Sequence, residues 1–385
     1  VSRGRLFGTL CSLVLLINLA RVVFAPLLKE LMVEFSINEG TAGLLATMVW
    51  VGSALPRVPA GWLLTRVARH RVVLWTGVVL SGSALLTAGS NSVVTLSGGA
   101  LLMGTASGVY FVAANPLVSE LYPRRVGWAM GVHGTASQVA AVVAAPFVTL
   151  ALLFDWRTTF LAIGVAAAVV TVALYLAARR ASLPNGGSRD RDLVGAAMSE
   201  WRLITLGVVV LGFAGFVWQG LFTFYELYMV QKGLSDAAAK NMLTVVFAAG
   251  VPAFYLGGRF ADRLPYVPYL LGNLLAFVAS VLLLTVSGGL VALFAVTAVL
   301  GYLIHSLFIV MDAFILATLP GETRASAYAV YSGGMMLAQA AGSTAVGAAV
   351  ARGATYDAVF AGLAGVLGIV ALGLCGLRSA GRLPT

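Results

Sequence analysis

Hydrophobic residues fall in long blocks along this chain, and charge is confined to short clusters between them. The blocks run about 18 to 25 residues, the length an α-helix needs to cross a hydrocarbon core roughly 30 Å thick. Twelve spans are predicted, over residues 6–28, 42–64, 72–90, 93–118, 126–152, 157–178, 203–228, 241–260, 267–286, 290–317, 325–350 and 356–377. The stretches Val72 to Thr87 and Leu363 to Leu374 show no apolar/polar alternation, so the wall of a β-barrel is excluded. The expected class is an all-α membrane protein.

Composition agrees with the pattern. Sixty per cent of the 385 residues are hydrophobic and ten per cent are charged, more apolar surface than a water-soluble fold could hide. The net charge of +10 comes from residues at span ends and forms no aromatic-interleaved basic face, so no nucleic-acid partner is expected; the bilayer is the partner. Seventeen basic residues fall on the side of the N-terminus, and five (Lys29, Arg157, Lys232, Lys240 and Arg352) on the other. Positive loops resist translocation, which places both termini in the cytoplasm of a plasma-membrane protein. Arg3 and Arg5 precede an apolar run without a small-residue cleavage site, so that run reads as the first span rather than a leader. Cys11 and Cys375 match no metal or redox spacing, and neither a metal site nor a cofactor is expected.

Residues 181–201, opening Ala-Ser-Leu-Pro-Asn-Gly-Gly, form the long polar segment between blocks and divide the chain into six spans plus six. The expected domains are 1–180, a linker over 181–201, and 202–385. The halves repeat: Gly61 to Arg66 (GWLLTR) recurs as Gly258 to Arg263 (GRFADR), and Pro123 recurs as Pro320, both at an offset of 197 residues.

These landmarks resemble the major facilitator superfamily, whose loop between spans two and three reads Gly-x-x-x-Asp-Arg-x-Gly-Arg-Arg. Here Gly61 to Arg71 reads GWLLTRVARHR, with Thr65 where the aspartate is expected, while the second copy keeps Asp262. The resemblance implies two six-helix bundles, and a conformational latch made of Gly61, Arg66, Gly258, Asp262 and Arg263, with Gly61 letting span two approach its neighbour closely. Two family patterns are altered. Ala100 stands where an arginine often precedes Gly104, and the span-five glycine-proline stretch is reduced to Ala144-Ala145-Pro146-Phe147. Both point away from a proton-driven drug exporter.

Polar residues inside the spans carry the chemistry, since an ionisable group at mid-membrane costs at least ~2.5–3.5 kcal/mol. Asn18 and Arg21 share a face of span one. The charge of Arg21 calls for an anionic substrate, a carboxylate from the other half, or backbone carbonyls. Arg57, four residues before the loop glycine, resembles the anion-gripping arginine of nitrate/nitrite porters, or else reaches the cytoplasmic surface; Phe254 stands where those porters carry a second arginine. Tyr302, His305 and Asp312 share a face of span ten, and the offset pairs Asp312 with Asn115 on span four. The resemblance places spans one, four, seven and ten around a central cavity. Asp312 either carries a coupled proton or neutralises an arginine. His305 is a proton carrier or a packing residue, and His133 a packing residue. Glu226, near the outer end of span seven, is expected to be hydrated and is a candidate proton-coupling group with Asp312 and His305, and Gln219 two turns deeper is a ligand contact. Gln138 and Gln339 line the cavity or bond across helices, and Tyr110, Phe111, Trp218, Phe222, Phe308 and Tyr331 offer an apolar wall.

The implied activity is secondary transport by alternating access of a small solute, an anion on the strength of the two arginines, with protons as a coupling ion and the monomer as the working unit. The alternative is proton-driven export of amphipathic or cationic compounds, with Asp312 and Glu226 as cation partners. No Ser/His/Asp or phosphate-loop spacing assembles, so an enzyme is not expected.

Overall fold

The computed structural model describes residues 2–122, 124–179, 193–261, 264–320 and 323–381, and these are helical with short connections. In chain order they are α1 Ser2–Val22, α2 Phe24–Glu34, α3 Glu39–Ala54, α4 Arg57–Arg66, α5 Arg69–Ala88, α6 Val93–Leu121, α7 Val126–Ala151 and α8 Trp156–Ala178. A short α9, Leu193–Ser199, leads into α10 Trp201–Gly207, a π-helical stretch Val208–Gly212 and α11 Phe213–Gln231. Then follow α12 Asp236–Ala261, α13 Tyr266–Val286, α14 Leu290–Thr318, α15 Arg324–Ala351 and α16 Tyr356–Ser379.

All twelve expected spans are helical. Among the described residues ten helices are long and apolar enough to cross a membrane, one of them in each expected span except the second and the eighth. The second is divided in two by Pro56, whose missing N–H cannot bond to the carbonyl one turn earlier, so α3 ends at Ala54 and α4 begins at Arg57. Pro26 acts more mildly in the first: the chain turns at Val23 between α1 and α2, while the flanking bonds Val23 N–H to Leu19 O and Leu27 N–H to Val23 O persist. Ends are set by local chemistry. Ser92, Asp155 and Thr355 cap α6, α8 and α16 by accepting from backbone N–H groups. Gly233 (φ 91°) and Gly353 (φ 94°) close α11 and α15 in a left-handed turn that any side chain would strain.

The chain folds as two compact units, Val1–Ser36 with Leu45–Arg191, and Ile37–Leu44 with Asp192–Thr385. In the first, small residues let helices touch backbone to backbone. A Cβ on Gly52 of α3 would lie 2.2 Å from the carbonyl oxygen of Leu101, and one on Gly104 of α6 would lie 2.1 Å from that of Val49. This corrects the expectation for Gly61, where a Cβ would meet nothing within 4 Å among the described residues. Span two approaches its neighbour through Gly52, nine residues before the loop glycine. In the second unit Gly342 of α15 meets the Phe216 carbonyl of α11 in the same way, at 2.1 Å.

Candidate substrate site

In the first unit, α1 carries Asn18 and Arg21 one turn apart. Asn18 Nδ2 donates to the Ser137 carbonyl of α7 at 2.6 Å, fixing the depth of α1 beside that helix. The Arg21 guanidinium lies over the Trp50 ring, 4.3 Å from its centroid, with Phe111 at 6.0 Å. Its Nη1 donates to Ser107 Oγ at 3.4 Å, and its buried Nε has no hydrogen-bond partner. Arg57 is near enough for the two positive charges to repel, and its own Nε donates to the Ser53 carbonyl at 3.3 Å. Among the described residues Arg21 forms no ion pair with a carboxylate. The aromatic faces return about 2 kcal/mol for a desolvated cation. That is below the ~2.5–3.5 kcal/mol cost of placing the charge in the membrane, and a second arginine raises it.

Several expected site residues serve other ends. Tyr110 is fully buried, and its hydroxyl donates to the Leu10 carbonyl at 2.8 Å while lying 2.9 Å from His133 Nε2. It ties α6 to α1 and α7 rather than forming a cavity wall, and His133 is the packing residue expected. Gln138 and Asn115 are half-buried. Trp50 and Ser107 were missed by sequence reasoning. Trp50 lies seven residues before Arg57, nearly two turns, and that spacing was available as a signal; Ser107 offered none.

In the second unit, Trp218 stacks on Phe222 at 5.8 Å, and both meet Phe247 of α12 edge-on. His305 completes this aromatic cluster, its Nδ1 donating to the Gly301 carbonyl at 2.7 Å and its ring filling the space a side chain at Gly250 would take. Packing of His305 is thereby accounted for. Gln219 is 1 % exposed and Gln339 3 %, both in the seam between α11 and α15, where Thr223 and Ser343 hydroxyls pair at 2.7 Å. Gln339 fills the gap that Gly215 leaves.

Glu226 overturns its expectation. It is 3 % exposed and lies 3.7 Å from Lys240 of α12, itself 8 % exposed, so the carboxylate is buried against a cation rather than hydrated. The sequence hid this because Lys240 reads as a loop charge four residues into α12. Asp312 is half-buried, with the Tyr331 hydroxyl donating to it at 3.4 Å, and Tyr302 is half-buried. Of the latch, Arg66 is exposed and lies over the Trp62 ring at 4.2 Å, while Arg69 pairs with Glu120 at the end of α6. Gly258 is within α12; Asp262, Arg263, the repeat landmark Pro123 and linker residues 181–192 lie outside the described residues.

The model of the Major Facilitator Superfamily matches residues 10–266. A probable sugar efflux transporter of Mannheimia succiniciproducens is 28 % identical over 321 residues, covering 82 % of this chain and 79 % of that protein. A second, of Helicobacter acinonychis, is 26 % identical over 255 residues, covering 64 % of this chain and 63 % of its own length. Among solved structures, a variant of the nucleoside transporter NupG superposes with a TM-score of 0.82 at 12 % identity, covering 96 % of this chain and 99 % of that one. A bacterial homologue of the human lysosomal transporter Spinster gives 0.75 at 16 % identity, covering 99 % and 92 %.

Proposed function

Because the chain belongs to the Major Facilitator Superfamily of membrane transporters, we propose that it is a secondary active transporter whose substrate is a small anion gripped by Arg21 and Arg57. One observation carries this reading. Arg21 lies over an aromatic face and donates to a serine hydroxyl beside a second, repelling arginine, and among the described residues no carboxylate pairs with it. An oxyanion would accept from the unused Nε and relieve the repulsion between the two guanidiniums. The relatives' names, sugar efflux transporters, taken together with the two arginines, put acidic sugars first among the anions to test, and export as the direction.

Both termini and residues 181–201 face the cytoplasm in this proposal, on the seventeen-to-five distribution of basic residues, and the protein works as a monomer in the plasma membrane with 1–180 and 202–385 as its moving halves. Asp312 is the coupling carboxylate in this reading: it is a half-buried acid on α14 that accepts from the Tyr331 hydroxyl. The alternative, proton-driven export of amphipathic or cationic compounds, shares its direction with the relatives' names, while Glu226, one of the two carboxylates it needs, already faces Lys240.

The test is counterflow in proteoliposomes with gluconate, glucuronate, glucose and a quaternary-ammonium dye as probes. Uptake of the two acids that fails in Arg21→Gln, with glucose and the dye excluded, is expected. Preference for the dye, or equal handling of glucose and glucuronate, would overturn the anion reading.

A further inference from the structure

Two apolar grooves flank one tryptophan at the end of the first unit where α5 begins and α8 ends. The first, about 360 Å³, runs between α5 and α8 and is lined by Leu74, Val78, Val172 and Tyr175, with Arg71 at its mouth. The second, about 340 Å³, lies on the far side of Trp75 against α4 and α6, lined by Leu63, Val67, Val79 and Val109 among others. Trp75 is 67 % exposed and belongs to both, so it stands as a partition between two parallel slots.

The first groove has a built floor and a charged mouth. A Cβ on Gly77 would lie 2.2 Å from Thr171 Oγ1, so α5 and α8 are in contact there and leave the slot on the side of Arg71. On each helix an arginine sits one turn outside an aromatic residue: Arg71 before Trp75 on α5, and Arg179 after Tyr175 on α8. The Arg179 guanidinium is 5.5 Å from the Tyr175 ring centroid, and both arginines are exposed. Arg66, over Trp62, adds a third cation near the mouth of the second groove. The neighbouring Arg69 is taken by Glu120 and plays no part.

We propose that these grooves bind one anionic diacyl phospholipid, its phosphate between Arg71 and Arg179 and its two acyl chains on either side of Trp75. The chemistry fits a lipid and no soluble ligand. The slots are apolar along their length and open through the exposed faces of Val78, Val172 and Trp75, whereas the cations stand only at the mouth, at headgroup level. A zwitterionic headgroup would bring a second positive charge against the arginines. The proposal does not depend on the identity of the transported solute.

Native mass spectrometry of the purified protein with phosphatidylglycerol or phosphatidylcholine reads retention of one lipid, and melting in each lipid reads its effect on the fold. Wild type should retain phosphatidylglycerol preferentially. Each of Arg71→Gln and Arg179→Gln should weaken that retention about fivefold, and the double variant more, as expected for one surface charge apiece. Trp75→Ala should remove the advantage of phosphatidylglycerol over its one-chain lyso form. Arg202→Gln, exposed on α10, is the control and should change nothing; all variants should melt with wild type in phosphatidylcholine. Equal retention of the two lipids by wild type, or a double variant matching wild type, would overturn the site. So would a loss in Arg202→Gln as large as that in Arg71→Gln.

Discussion

The hydroxyl of Tyr110 lies 2.9 Å from Nε2 of His133 while donating to the carbonyl of Leu10 at 2.8 Å. With its one proton committed to Leu10, Tyr110 accepts from His133, which fixes the imidazole as the Nε2–H tautomer. Three helices meet at this pair, α1, α6 and α7, and no part of it is exposed enough to meet a solute. Tyr110→Phe strands a buried imidazole N–H and removes the cross-helix bond to Leu10, at about 1–3 kcal/mol. Thermal unfolding in detergent should show this loss while the affinity of the surviving protein for its solute is unchanged; an affinity change without a stability change would return Tyr110 to the site.

Arg21→Lys keeps a positive charge and removes the planar fork that both stacks on Trp50 and matches an oxyanion. Affinity for an acidic solute should fall about tenfold or more, equivalent to ~1.4 kcal/mol, in equilibrium binding. Wild-type affinity in the lysine variant would mean that charge alone matters there and that the geometry around Trp50 is incidental.

Gly104→Ala tests the contact between α3 and α6. A methyl group at 2.1 Å from the Val49 carbonyl oxygen cannot be accommodated by a side-chain rotation, because backbone faces backbone. The helices must part, and a loss of about 1–3 kcal/mol is expected. Gly61→Ala, which places its methyl group in open space among the described residues, should be neutral or slightly stabilising through helix propensity. Comparing the two melting temperatures checks the prediction; equal effects would remove the distinction.

Lys240 and Glu226 are each more than nine-tenths buried and lie 3.7 Å apart, so removing either one breaks a buried ion pair. Lys240→Met and Glu226→Gln should each destabilise the fold by about 3–5 kcal/mol, and the double variant by less than the sum of the two. A double-variant cycle by unfolding measures this coupling, and simple additivity would show the two groups to be independent.

The helical spans were legible because lipid imposes a length, and length survives in the sequence as blocks of apolar residues. The break at Pro56 and the π-helical stretch at Val208–Gly212 were not, for the apolar pattern runs through both without interruption. Arg21 and Arg57 stood out because any charge in such a block does. Trp50, which supplies the ring under Arg21, looked like one more aromatic residue in lipid, and Glu226 looked hydrated because its cation lies on a different helix. What a residue touches across helices is set by rotation of each helix about its axis, and in chains apolar all round no amphipathic stripe records that rotation.

The division of span two at Pro56 makes that span a jointed arm rather than a rod. Its α3 segment is bolted to α6 through Gly52 and Gly104, and Trp50 is part of the bolted portion. Arg57 opens the segment beyond the joint, where Val58, Trp62 and Leu63 are exposed. The Arg57 Nε nevertheless donates back across the joint to the Ser53 carbonyl of α3, so the bond that orients the second guanidinium is made to the bolted portion, and a bend at Pro56 would strain that bond as it changed the separation of Arg57 from Arg21.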